Sequence, residues 1–133
     1  MGKLADIVFD ARHAGSLARF WAEALDEYEI EPYDDDEMAR LKAMGIDDIM
    51  DDPGVAVRSK SGTGVRYFFQ NVPEGKTAKN RVHLDLRGSD RHAEVERLVA
   101  LGATVRAEVE HESGQRWATM VDPEGNEFCV LDP

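Results

Sequence analysis

Cysteine, long apolar runs and the common nucleotide and hydrolase motifs are scarce or missing in this sequence. The single cysteine in 133 residues, Cys129, excludes an intramolecular disulfide and fits a reducing compartment. No apolar run approaches the ~20 residues of a membrane helix, and the first twenty residues lack the apolar segment of a signal peptide. P-loop, GxGxxG, CxxC and GxSxG motifs are all absent. These absences predict a cytoplasmic protein of bacterial type.

Positive charge is also scarce, because 16 Lys and Arg stand against 27 Asp and Glu, for a net charge of −11. This balance argues against nucleic acid and anionic membranes as partners. Residues 26–53 hold twelve of the acids and only two basic residues, so the rest of the chain is close to neutral. We interpret this acidic segment as a solvated face, with a site for a cation or a basic partner as the alternative.

What is present is enough for one globular domain over residues 1–133, with an ordinary apolar fraction of 42%. Alternation predicts a strand over residues 4–10, with Ile7 and Phe9 facing a core and Asp6 on the other face. The first helix follows this strand, and it is predicted by apolar residues at helical spacing: Leu17, Phe20, Trp21, Ala24 and Leu25. The sequence then predicts a short edge strand over 28–33, a helix over 37–44, an acidic loop over 46–53 and a hairpin of 55–58 with 65–72.

The second half repeats this order. A strand over 81–87 places His83 and Asp85 on one face. A helix follows this strand, and a second strand, over 104–110, follows the helix. The terminal sequence DPEGN predicts a turn between strands 117–121 and 128–131, with Glu127 and Cys129 sharing a face. When residues 4–13 are shifted by 77 positions along the sequence, Asp6 aligns with His83 and His13 aligns with Asp90.

The repeated order predicts an α+β fold made of two βαβββ modules, about 3–73 and 80–133. Each helix would cover one face of its sheet, and the opposite faces would curve around a common cleft. Those opposite faces carry the polar candidates Asp6, His83, Asp85, Glu127 and Cys129.

His83 is the strongest single candidate, either as a ligand or as a general base with Asp85, or else as a hydrogen-bonded structural residue. Asp6 and Asp85 would raise one another's pKa if they face one cleft, unless Arg81 or Arg87 neutralises them.

Three further side chains have two interpretations each. Cys129 is a nucleophile only if a nearby cation lowers its pKa, and otherwise a buried inert thiol. Tyr67 and Trp117 are either walls of the cavity, able to stack on a planar ligand, or core residues.

The segments LARFWAEAL, NRVHLDL, LVALGA and DPEGNEFCVL resemble the glyoxalase-like branch of the vicinal oxygen chelate superfamily. This superfamily also contains glyoxalase I, bleomycin-resistance proteins and extradiol dioxygenases. The resemblance covers residues 4–25 and 55–133 and leaves the acidic segment uncovered. It implies an incomplete barrel around a small-molecule cavity, and in catalytic members a divalent metal held by the first and last strand of each module.

By this resemblance the first-strand ligand positions are Asp6 and His83, and the last-strand position of the second module is Cys129, where a Glu is usual. The fourth position falls on Arg66, Phe68 or Gln70. A bound metal would be zinc, nickel, manganese or iron, held by His83, Asp6 and Cys129. However, this set lacks the second His of an iron site.

The unusual ligand set favours a small-molecule-binding protein of the glyoxalase/bleomycin-resistance type with no cofactor. The resemblance also implies a homodimer, because such folds often bury apolar surface between chains. Asp6, Tyr67, Trp117, Glu127 and Cys129 are its expected ligand contacts. The alternative is a lyase, isomerase or oxygenase acting on a small oxygenated metabolite in the same cavity through His83 and Asp85. Whether the protein is an enzyme stays open at this point.

Overall fold

The computed structural model describes all residues, 1–133, and divides into two compact units, Met1–Gly75 and Lys76–Pro133. Each unit has one four-stranded mixed sheet, and neither sheet closes on itself. The predicted α+β class with two βαβββ units is confirmed. No helix combines the length and the apolar character needed to span a bilayer.

The elements of the first unit are β1 (Asp6–Ala11), α1 (Ala14–Ala24), β2 (Tyr28–Ile30), α2 (Asp35–Ala43), β3 (Gly54–Ser59) and β4 (Arg66–Asn71). The sheet order is β1-β4-β3-β2, and β1 and β4 run parallel. The predicted edge position of the short second strand is confirmed, although that strand ends at Ile30, before Pro32. A 3₁₀ turn, Ile49–Asp51, interrupts the predicted acidic loop.

The elements of the second unit are β5 (Leu84–Arg87), α3 (Arg91–Leu101), β6 (Thr104–Glu110), β7 (Arg116–Val121) and β8 (Glu127–Leu131). The sheet order is β5-β8-β7-β6, and β5 and β8 run parallel. The strand predicted from residue 81 begins only at Leu84, so His83 lies immediately before it.

Each unit has its own apolar core between its helix and one sheet face. In the first unit, Leu17 and Trp21 of α1 are fully buried, and Trp21 meets the ring of Phe9 edge-on at 5.6 Å. In the second unit, Leu98 of α3 and Phe128 of β8 are both fully buried. Full burial of such side chains stabilises a fold by roughly 1.5–3 kcal/mol each, so the helices are held mainly by these faces.

The internal repeat extends to the helix caps. His13, at the N-cap of α1, accepts a hydrogen bond from the backbone N–H of Ser16 through its ring nitrogen. Asp90, at the N-cap of α3, accepts one from the backbone N–H of Ala93 in the same way. The 77-residue shift therefore superimposes two residues with the same structural role, which is the signature of a duplicated unit.

The terminal turn closes through one buried carboxylate. Asp122 is only 3% exposed. One of its oxygens accepts from the backbone N–H groups of Glu124 and Asn126, and the other accepts from the Asn126 side-chain amide. Gly125 adopts a positive φ of 88°, which a side chain would disfavour. The DPEGN sequence thus fixes the register in which Thr119 faces Cys129.

Candidate functional site

The first unit has a polar sheet face opposite α1, formed by β1 and β4. Asp6 pairs in register with Arg66, and the guanidinium donates to both carboxylate oxygens of Asp6, at 2.8 and 2.9 Å. Glu31 accepts a third hydrogen bond from Arg66, at 3.2 Å. The hydrogen bonds from Arg66 hold the pKa of Asp6 below its usual range. Of the two alternatives, neutralisation of Asp6 by an arginine is therefore the one found, but the arginine is Arg66 rather than Arg81 or Arg87.

This face lines a cavity of about 690 Å³ that lies wholly within the first unit. Arg66, Phe68 and Gln70 of β4 form its floor, because alternate residues of a strand point to the same side. Gln70 donates to Asp10 of β1 at 2.9 Å. The volume lies in the ~300–1,000 Å³ range of small-molecule pockets.

The acidic segment forms the opposite wall of this cavity. Tyr33 donates its hydroxyl hydrogen to Asp52 at 2.7 Å, and Asp52 is only 2% exposed. Burial, together with the Asp52 carboxylate, raises the pKa of Tyr33 well above its usual range. Arg40 of α2 lies 2.9 Å from Glu37 and 3.8 Å from Asp52. Most of α2 is exposed as expected, but the segment as a whole is more than a solvated face, since it completes a pocket.

Tyr67 lies on the other side of β4. It pairs with Ile7, and its ring meets those of Phe9 and Tyr28 edge-on at 6.3 and 5.5 Å. Burial raises the pKa of its hydroxyl. Tyr67 therefore does not line the cavity of the first unit, and Phe68 takes that place.

In the second unit, the structure brings together His83, Asp85 and Cys129. Asp85 and Cys129 pair in register on the parallel strands β5 and β8, so their side chains lie next to one another on the same face. Nε2 of His83 is 3.3 Å from Oδ1 of Asp85. One donor atom of each of the three residues lies within 4.8 Å of the other two.

Cys129 is partly buried, and Thr119 Oγ1 lies 3.9 Å from its sulfur. Desolvation raises the pKa of the Cys129 thiol, and the nearby Asp85 carboxylate acts in the same direction. Cys129 therefore lacks the lowered pKa of an activated nucleophile.

Glu127 and Trp117 lie on the same sheet face but outside this cluster. Glu127 accepts from the backbone N–H of Asn80 at 2.9 Å and pairs with Lys76 at 3.2 Å, and these contacts lower its pKa. It holds the segment that leads to His83. Trp117 pairs in register with Leu131, and its ring stacks at 6.4 Å on His111.

The two units differ as potential metal sites. The resemblance implies ligands on the first and last strands of each unit. In the first unit these strands present Asp6 and Arg66, and a permanently charged guanidinium that holds both carboxylate oxygens does not fit a cation site. The second unit offers imidazole, carboxylate and thiol donors, which fit a borderline-soft divalent ion.

The sequence alone did not reveal the residues of the acidic segment that build the cavity. Tyr33, Arg40 and Asp52 come from a segment outside the recognised motifs. The available signal was the presence of two tyrosines, Tyr28 and Tyr33, and only two basic residues, Arg40 and Lys42, among the twelve acids of this segment.

Two βαβββ units with polar faces of this kind define an α+β fold of the bleomycin-resistance type. The family model described as "Glyoxalase-like domain" matches residues 6–131, and the chain belongs to this family. A search of curated proteins found no match.

Several solved structures share the fold. A glyoxalase/bleomycin resistance protein/dioxygenase family enzyme from Burkholderia phytofirmans PsJN is 14% identical, with a TM-score of 0.66 over 98% of each chain. A bleomycin-binding protein complexed with bleomycin is 14% identical, with a TM-score of 0.57 over 100% of this chain and 99% of that one. A variant of the fosfomycin resistance protein FosX from Listeria monocytogenes, with Mn(II) and a dihydroxypropylphosphonic acid, is 11% identical, with a TM-score of 0.65 over 98% and 90%.

Proposed function

We propose that this protein binds a small molecule in the cavity of its first unit, without the metal set that the resemblance implies. The observation that carries the proposal is the Arg66–Asp6 pair. It lies on the first and last strands of the first unit, where that set would require metal ligands. A guanidinium in this position can bind an oxygen-rich ligand directly, because it has N–H groups in a fixed planar arrangement.

The cavity has the composition expected of a binding pocket. Arg66 and Arg40 are each about half exposed and can donate to ligand oxygens, and Phe68 supplies an apolar surface. Asp52, in contrast, is satisfied by Tyr33 and by the backbone N–H of Gly54, which fixes the wall. The bleomycin-binding neighbour is consistent with this role, since it shows that the same fold can hold a small molecule.

The test is a thermal-shift screen of small oxygenated metabolites and antibiotics, with metal-free bleomycin and fosfomycin included, followed by calorimetric titration of the hits. Arg66→Gln is expected to weaken binding by roughly 10- to 100-fold, the range for a lost charge-assisted hydrogen bond. Arg58→Gln is the matched control. Arg58 lies on β3 outside the cavity lining, pairs with Glu29 at 3.6 Å and has nearly the same exposure as Arg66.

Ligands that bind the wild type and Arg58→Gln alike, but bind Arg66→Gln weakly, support the proposal. It is overturned if no compound raises the melting temperature of the wild type more than that of Arg66→Gln. The homodimer, expected from the fold, is checked on the same samples by sedimentation.

An enzymatic function is the second candidate, and the cluster of His83, Asp85 and Cys129 is the observation that favours it. A lyase, isomerase or oxygenase reaction on a small oxygenated metabolite would use His83 as a base with Asp85 beside it. Turnover of a compound from the screen that is lost in His83→Ala and retained in Arg66→Gln would favour this candidate over simple binding.

A further inference from the structure

We infer that the ligand of the first-unit cavity is a small aromatic zwitterion, which carries a protonated amine as well as an acidic oxygen group. This inference rests on the proposed function, because it names the chemical class that the same cavity would take. The carboxylates of the cavity lining carry the argument, since two guanidinium groups alone do not distinguish a zwitterion from a simple anion.

Two arginine–glutamate pairs line the cavity, one on the sheet side and one on the wall formed by α2. On the sheet side, Nη1 of Arg66 donates to Oε2 of Glu31 at 3.2 Å. On the α2 wall, Nη2 of Arg40 donates to Oε2 of Glu37 at 2.9 Å. All four side chains are between 40% and 48% exposed, so the positive and the negative member of each pair can reach a ligand.

The two guanidinium groups are already balanced by carboxylates. Arg66 also donates to both carboxylate oxygens of Asp6, and Arg40 also lies 3.8 Å from the buried Asp52. Each arginine therefore has one positive charge and two carboxylate neighbours. A ligand with only a negative charge would bring a third anion to each guanidinium, and this repulsion of like charges disfavours its binding.

Both kinds of group nevertheless have hydrogen-bonding capacity left. Asp6 and Glu31 use three of the five N–H groups of Arg66, so two remain for a ligand oxygen. Glu31 and Glu37 each accept one hydrogen bond from an arginine, whereas a carboxylate can accept about four. A ligand ammonium would use these acceptors and would offset the charge that a ligand carboxylate brings.

The charge of the whole first unit favours the ammonium as well. Met1–Gly75 contains sixteen Asp and Glu against eight Lys and Arg, and this excess attracts cations over a longer range than a single contact. The acidic segment supplies four of the carboxylates that line the cavity: Glu31, Asp34, Glu37 and Asp52. A role in attracting a cationic group is therefore consistent with the composition of this segment.

Two aromatic rings, Phe68 of β4 and Tyr33 of the acidic segment, also line the cavity. The tip of the Phe68 ring lies over Gly54, where an added Cβ would stand 2.8 Å from Cζ of the ring. Glycine therefore leaves room for this ring position. Ring faces attract both other rings and ammonium groups. An aromatic amino acid is a small molecule that combines the ring, the amine and the carboxylate.

The experiment compares three probes with the same ring by calorimetric titration at pH 7. Phenylalanine is the zwitterion, N-acetylphenylalanine keeps the carboxylate without the positive charge, and 2-phenylethylamine keeps the amine without the carboxylate. We expect phenylalanine to bind most tightly and 2-phenylethylamine more weakly. N-acetylphenylalanine should bind at least about 10-fold more weakly than phenylalanine, the range for a lost charge-assisted hydrogen bond.

The variant Glu31→Gln tests the carboxylate, because it keeps the size of the side chain and one acceptor oxygen but removes the charge. It should weaken phenylalanine about 10-fold and leave N-acetylphenylalanine unchanged or bound more tightly, so the preference for the zwitterion falls towards one. A purely structural role of Glu31 would instead lower the affinity for both probes alike. Circular dichroism checks that the variant is folded.

Glu29→Gln is the matched control and should keep the wild-type preference. Glu29 lies on β2, two residues before Glu31, and its pair with Arg58 lies outside the cavity lining. Its side chain is 36% exposed, against 40% for Glu31. The two variants therefore remove the same charge from the same stretch of chain, and only one of them changes the cavity.

Four results would overturn the inference. They are equal binding of phenylalanine and N-acetylphenylalanine, no binding of any of the three probes, an unchanged preference in Glu31→Gln, and an equal loss of preference in Glu29→Gln. Failure of the proposed function has a different signature, because no compound would then depend on Arg66. A ligand that depends on Arg66 but lacks an amine would leave the proposed function standing and refute only the zwitterion.

Discussion

The N-terminal turn of α1 touches the acidic segment at Gly15, and this contact predicts an unusual response to an alanine substitution. A Cβ added to Gly15 would lie 2.2 Å from the backbone oxygen and 3.0 Å from the carbonyl carbon of Met50. Met50 lies in the 3₁₀ turn that directly precedes Asp52. Because the nearest atoms belong to the backbone, rotation of a side chain cannot relieve the overlap.

Two effects with opposite signs then compete in Gly15→Ala. Alanine stabilises a helix by up to about 1 kcal/mol relative to glycine, and by less in the first turn. An overpacked contact that moves the backbone typically destabilises by about 1–3 kcal/mol. We therefore expect a net loss of about 1–2 kcal/mol in unfolding free energy, and a melting temperature lower by about 3–8 °C for a chain of this size.

Urea and thermal unfolding followed by circular dichroism measure this loss. Gly75→Ala is the control, since a Cβ at Gly75 meets nothing within 4 Å, and its stability should stay within about 0.5 kcal/mol of the wild type. A Gly15→Ala variant as stable as the wild type, or more stable, would refute the packing of the acidic segment against α1.

Three other predictions concern hydrogen-bonded carboxylates. Tyr33→Phe should destabilise the chain by about 1–2 kcal/mol at pH 7, because it removes a hydrogen bond from buried Asp52. Since the pKa of Tyr33 is raised in the fold, its contribution is complete below about pH 10 and is lost above it, so this difference should shrink in alkaline urea melts. Asp122→Ala should cost about 2–3 kcal/mol and Asp122→Asn less, because the amide keeps one acceptor oxygen; equal urea midpoints for both would contradict this. In NMR titration, Asp6 should deprotonate at a lower pH than a free aspartate, and Arg66→Gln should return the Asp6 pKa towards its ordinary value. The Arg66–Asp6 pair therefore stabilises the fold fully above the unfolded pKa of about 4, and this stabilisation is lost as the pH falls further.

Alternation was a sufficient guide to the strands whose two faces differ in polarity. In β1, Phe9 faces the core and Asp6 the polar side, as predicted, and in β8 Phe128 and Cys129 separate in the same way. The alternation in these strands was therefore enough to predict that Cys129 lies on the same sheet face as His83.

The strand β4 could not be assigned in this way. Tyr67, Phe68 and Phe69 are three consecutive aromatic residues, so either register buries an aromatic ring, and the pattern does not select one. The Arg66–Asp6 pair depends on this register and on a parallel contact across 60 residues of sequence, which neither strand encodes by itself. For the same reason, the cavity wall at Tyr33 could not be predicted, since it depends on where the acidic segment folds back.

The parallel contact between the first and last strand of each unit has a consequence for the order of folding. The sheet of the first unit cannot form until β4 is available to join β1, and the sheet of the second unit needs β8 to join β5. Such long-range pairing slows folding, because a large loop must close before the contact stabilises it. During synthesis we expect the first unit to complete its sheet once residue 71 has emerged, well before the second unit can begin to close its own.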